Sequence, residues 1–202
     1  MENPKLLFLY NSYLQSFACG FGTLYHVYQR DYSLDCFFSM ANIFADYLEL
    51  YFKYMLIASD GFPENNSIRS FNLDTHDFQI LMSEDCIHYL DFLNLDHEKI
   101  NALEEKINAL CDLLGTKELS YIFRYPCDKN NNIYLSQMGK KQKMKCLASM
   151  HEILLLSVDL LKQYHAKLIL YLDTQYDEAL KTLERWEKYS LTDLSTHTMS
   201  VF

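Results

Sequence analysis

Between Lys5 and about Arg30 the apolar residues fall at Leu6, Leu9, Tyr10, Tyr13, Leu14 and Phe17, then at Phe21, Leu24, Tyr25 and Tyr28. Steps of three and four positions put them on one face of a helix. Gly20 and Gly22 lie within that run and can kink or interrupt it. Ser33 is placed to cap a second helix running to about Ala58, where Ser59-Asp60-Gly61-Phe62-Pro63 stops it. The second helix is apolar almost all round, which predicts a central position.

Residues 59–75 are polar and turn-rich, and Asp74 or Thr75 can cap a third helix from about His76 to Leu93. Asp96 opens the most clearly marked helix, 97–114, with Gly115 in the position that ends helices. This helix contains a direct repeat, Glu98-Lys99-Ile100-Asn101-Ala102-Leu103 followed by Glu105-Lys106-Ile107-Asn108-Ala109-Leu110. The repeat sets Ile100, Leu103, Ile107, Leu110 and Leu114 on one stripe, which can pack inside a bundle or form a seam between two chains. From Leu119 to Ser136, alternating aromatic and β-branched residues around Asn130-Asn131-Asn132 suggest an extended segment or small hairpin. Helical spacing resumes from about Lys140 to Thr174 and on to Tyr189, and the Ser/Thr-rich residues from Ser190 are expected to fray. The expectation is therefore an all-α chain: one bundle of about five to seven helices over 1–189, with an irregular or hairpin insertion near 119–136 and a tail over 190–202.

Composition supports that class. Only 5 Gly and 3 Pro occur among 202 residues, too few for the turns of an all-β fold, while 16 Tyr and 13 Phe must be packed somewhere. The six cysteines show no CxxC pair and no close Cys/His spacing, and no secretory signal is apparent before them. They read as free thiols in a reducing cytoplasm, with no metal site and no cofactor expected. No apolar run is long enough to span a bilayer, so no membrane association is expected.

Charge is uneven along the chain. The net value is −9, yet residues 1–95 carry 4 Lys/Arg against 12 Asp/Glu while residues 96–202 carry 14 against 15. Seven basic and two acidic side chains lie in 117–145, so an anionic ligand should approach there. The candidates for phosphate contact are Lys129, Lys140, Lys141, Lys143 and Lys145, with Arg124 and Tyr125 close in sequence. The overall acidity argues against broad, nonspecific binding of nucleic acid. A solvated helix face remains the alternative reading of the lysine run.

Within the second helix, Glu49 precedes Lys53 by one turn, the favourable order for an ion pair. Buried charges need partners, so the two form either an internal structural pair or the wall of a polar pocket. This pair, the turn with Gly61 and Pro63, and Thr75-His76-Asp77-Phe78 together resemble the HEPN superfamily of helical domains. The stretch Phe123-Arg124-Tyr125-Pro126-Cys127-Asp128-Lys129-Asn130 is similar to an arginine-tyrosine-proline segment of some HEPN-like proteins. The two stretches cover about 40–85 and 119–132, about a third of the chain.

The resemblance implies a cytoplasmic protein of a prokaryotic defence or toxin–antitoxin system that binds RNA, and a homodimer. In active HEPN ribonucleases, arginine and histidine with roughly four to six residues between them meet across the dimer without a metal, arginine facing the phosphate and histidine moving a proton. The only such spacing here is Arg69 to His76, and it precedes the third helix rather than lying on a later one. Arg69 and His76 are thus the catalytic candidates, with helix capping the alternative role for His76. Glu49, Lys53, Asp77, Arg124 and Tyr125 are candidates for a polar network. The competing expectation is a noncatalytic module that pairs with another protein, such as a nucleotidyltransferase.

Overall fold

The computed structural model describes residues 4–31, 34, 36–59, 81–82, 95–115, 119–125 and 138–172. They form four long helices and one short one: α1 Pro4–Asp31, α2 Phe37–Ser59, α3 His97–Leu114, α4 Leu119–Arg124 and α5 Lys140–Leu172. There is no strand among the described residues. The chain is all-α over these segments and builds a helical bundle. Of the expected third helix at 76–93 only Leu81, helical and buried, and Met82 are described, and the terminal segment beyond Leu172 lies outside the described residues.

α1 runs unbroken through both glycines. A Cβ on Gly20 would lie 3.7 Å from Ile43 Cδ1, an ordinary contact, so α2 packs beside Gly20 without requiring a glycine there. Packing of α1 on α2 and α5 carries the helix through the two glycines, each of which costs a helix interior about 1 kcal/mol. The all-round apolarity of α2 has the predicted consequence. Phe37, Met40, Phe44, Tyr47, Leu48 and Tyr51 are fully buried, and α1, α4 and α5 all pack on this helix. Its first residue is Phe37, later than the predicted cap at Ser33, with the Phe37 N–H donating to Leu34 O at 3.0 Å.

α3 has the ends its sequence predicts. The Asp96 carboxylate accepts from the N–H groups of Glu98 and Lys99, and Gly115 takes the left-handed conformation at φ 67° that closes the helix. Ile100, Leu103, Ile107 and Leu110 are buried, and the helix packs on α5. The stripe of the repeat is thus used inside the bundle rather than left open as a seam.

One expectation is corrected. Residues 119–124 are helical, not extended, because Leu119, Ile122 and Phe123 share a helix face and bury it on α2, where Phe123 meets Phe44 edge-on at 6.5 Å. Residues 126–137 of that predicted insertion lie outside the described residues.

Cross-helix contacts fix the directions. Phe21 lies against Phe44, and the Cys36 thiol reaches back to Leu24 O, so α1 and α2 are antiparallel. Tyr47 pairs with Ser157 and Tyr54 with His165, so α2 and α5 run parallel. Lys99 meets Asp159 while Lys106 meets Glu152, so α3 is antiparallel to α5. The first turns of α2 and α5 therefore lie at the same end of the bundle.

Candidate functional site

Two polar regions are available for function, one inside the bundle and one at its end. Inside, Lys53 Nζ donates to Glu49 Oε1 at 2.8 Å, and both side chains are less than a tenth exposed. The internal ion pair expected from their spacing is formed. Burial, and after it the charge of Glu49, push the Tyr10 phenol above its ordinary value, which places α1 beside the pair. Asn11, one position on, is also buried.

A second internal set lies between α2 and α5. Tyr47, Tyr51 and Tyr54 follow one another at helical spacing along α2 and are all buried. Tyr47 Oη and Ser157 Oγ are 2.8 Å apart, and the Ser157 hydroxyl also reaches Leu154 O at 2.8 Å. Tyr54 Oη lies 2.6 Å from His165 Nε2, and the Tyr164 ring meets Tyr54 edge-on at 5.8 Å. Burial pushes the imidazole of His165 down to about 3, so it is neutral at ordinary pH. Burial pushes the Tyr54 phenol up as well, so two neutral groups share this hydrogen bond, and its direction follows from which imidazole nitrogen carries the proton. Tyr51 Oη is buried with no hydrogen-bond partner among the described residues.

At the bundle end, α5 opens with Lys140-Lys141-Gln142-Lys143-Met144-Lys145. Lys140, Lys141 and Lys145 are exposed. Lys143 is half-buried, and its Nζ lies over the rings of Phe37 and Phe38 at 5.5 and 5.4 Å from their centroids. Gln142 donates to Leu113 O at 3.1 Å, tying this turn to the last turn of α3. Neither α2 nor α5 has an acidic residue in its first turn. Lysines there oppose the helix dipole, and the two parallel helices direct their positive ends the same way.

The remaining candidates separate as follows. Arg69, His76, Asp77 and Lys129 lie outside the described residues. Arg124 is the last residue of α4, and Tyr125 follows it, 52% exposed. His151 stacks in parallel on Tyr25 with ring centroids 4.2 Å apart. Burial first and neighbouring His26 second hold its pKa below the ordinary value, against an opposing pull from Glu152. Among the described residues no cluster of three or more His, Cys, Asp or Glu could hold a metal ion. Cys19 and Cys146 are free thiols, and burial pushes Cys146 up to about 11. No helix of the described residues is long and apolar enough to cross a membrane.

Sequence reasoning missed Phe38 and the Tyr54–His165 pair. The regular tyrosines of α2 hinted at the second, but their partner is 111 residues away. Phe38 looked like one more residue of an apolar helix. In comparison with known proteins, the chain matches no family model, no curated protein and no solved structure.

Proposed function

We propose that the protein is a HEPN-like RNA-binding protein of a prokaryotic defence or toxin–antitoxin system, and that RNA docks at the lysine-rich end of the bundle. The observation that carries this reading is the start of α5, where Lys140, Lys141 and Lys145 are exposed and Lys143 rests on two phenylalanines at the start of α2, with no acid in the first turn of either helix. That arrangement gives a phosphate chain cations and aligned helix dipoles at one place. It overcomes locally the net charge of −9, which otherwise repels a polyanion.

Cleavage is assigned to Arg69 and His76 by the resemblance alone. In that reading the 2′-oxygen of the RNA attacks the adjacent phosphorus and the bond to the 5′-oxygen breaks, leaving a 2′,3′-cyclic phosphate and a 5′-hydroxyl end; histidine moves the proton from the 2′-hydroxyl to the departing oxygen and arginine stabilises the charge developing on phosphate. A homodimer would bring two such pairs together, and the location would be cytoplasmic. The test is incubation of a labelled mixed RNA pool with wild type and His76→Ala protein in EDTA. Cleavage by wild type and its loss in the folded variant are the expected results. Binding without cleavage by either protein would remove the nuclease and leave the RNA-binding role.

A noncatalytic module that pairs with a protein such as a nucleotidyltransferase is the second reading. Leu9 and Tyr13, one turn apart on α1, are 52% and 58% exposed and favour it. Exposed Ser16 and Thr23 then interrupt the apolar surface toward Val27. The apolar stripe that a protein partner would use is therefore short.

A further inference from the structure

We propose that Phe38 is a base-stacking platform, so that the lysine-rich end selects single-stranded over double-stranded RNA. This rests on the RNA-binding reading and adds to it the strand form and the residue that senses it. Phe37 and Phe38 are adjacent in sequence but do different things. Phe37 is fully buried and fills the core at the head of α2, whereas Phe38 remains 49% exposed. The two rings meet edge-on, with centroids 5.4 Å apart and planes at 78°. Lys143 Nζ lies over the Phe38 ring at 5.4 Å. Phe38 is thus supported by a buried neighbour and a cation while much of its surface stays open.

An exposed phenylalanine alone is ordinary, because a large part of any protein surface is apolar. Its setting gives this one a ligand class. The ring is joined to the lysine run through Lys143, and Lys140, Lys141 and Lys145 on the same turns are exposed. Lys140, three residues before Lys143, shares its face of α5, so a polyanion held by it passes beside the aromatic surface. A single strand can lay an unpaired base on it, since every base has a π-face, but a duplex keeps its bases stacked and offers only its backbone. The lysines therefore supply attraction that either form can use, and Phe38 supplies a contact that only an unpaired base can use.

Fluorescence anisotropy of a labelled mixed-sequence RNA strand, alone and annealed to its complement, tests this in low salt. For Phe38→Ala the expected result is a loss of about tenfold in affinity for the single strand, the scale of one base–aromatic contact. Duplex affinity should be unchanged, and Phe38→Tyr, which keeps the ring, should bind like wild type. Phe38→Leu, which keeps apolar bulk without an aromatic face, should behave like the alanine variant and serves if Phe38→Ala fails to fold. Wild-type affinity of folded Phe38→Ala or Phe38→Leu for the single strand would overturn the platform while leaving RNA binding standing. Failure of wild type to bind either RNA form would overturn both readings.

Discussion

The interior and the lysine-rich end handle polar groups in opposite ways. Inside, Glu49 faces Lys53, Tyr47 faces Ser157 and Tyr54 faces His165, each within 2.8 Å. At the end of the bundle, Lys140, Lys141 and Lys145 project outward, and Lys143 rests on aromatic rings rather than on a carboxylate. The difference follows from solvation. A buried charge is matched within the protein, because losing water without a replacement costs it several kcal/mol, whereas a neutral hydroxyl such as that of Tyr51 is buried without a partner among the described residues. An exposed lysine keeps its water and can exchange it for phosphate. In the proposed RNA-binding role the exposed lysines make the ligand contact, while the interior polar pairs join α2 to α5 and Glu49 to Lys53 within the bundle.

This contrast is tested most strongly by unpairing the interior. Lys53→Ala removes the ammonium that donates to the buried Glu49 carboxylate, and denaturant unfolding should show a loss of up to about 3–5 kcal/mol. The double variant Glu49→Gln/Lys53→Met removes both charges and should recover much of that loss. If Lys53→Ala instead left stability unchanged and abolished RNA binding, the pair would belong to the ligand site.

Acid should act through the interior next. His165 is held neutral by burial, with its pKa lowered to about 3. The unfolded chain, whose histidine titrates near its ordinary value of about 6.5, therefore takes up a proton first. Stability is fully present above pH ~6.5 and declines as pH falls toward 3, by ~1.4 kcal/mol per unit for this one group. His151, also depressed, adds in the same direction. Comparing unfolding midpoints at pH 7 and 5 should show a loss of about 2 kcal/mol in wild type that shrinks in His165→Gln. An identical pH dependence in the variant would remove His165 as the cause.

Parts of this contrast could be read from the chain and parts could not, for physical reasons. The ends and stripe of α3 are local: an Asp cap, a closing glycine and apolar residues at helical spacing all lie within 96–115, so sequence and structure agree. The Glu49–Lys53 pair is local as well, one turn apart on a helix whose apolarity announced its burial. The segment of α4 is ambiguous in sequence because, over only six residues, Leu119, Ile122 and Phe123 fit a short helix face while the aromatic and β-branched content favours a strand. Its packing on α2 decides between them. Tyr54 and His165 meet only because α2 and α5 run parallel, and nothing near either residue encodes that. The exposure of Phe38, beside the buried Phe37, likewise depends on where α5 delivers Lys143. The lysine run itself was legible, but its convergence with a second helix start was not.

The central claim, that the exposed lysines rather than the interior polar groups make the ligand surface, is tested most directly by the salt dependence of RNA affinity. Wild type and Lys140→Gln/Lys141→Gln/Lys145→Gln should be titrated with the same labelled single strand over a range of salt. Each phosphate contact contributes about 0.7 to the slope of log affinity against log salt, so the triple variant should bind more weakly with a slope shallower by about 2. Equal affinity and equal slope in the two proteins would contradict the account.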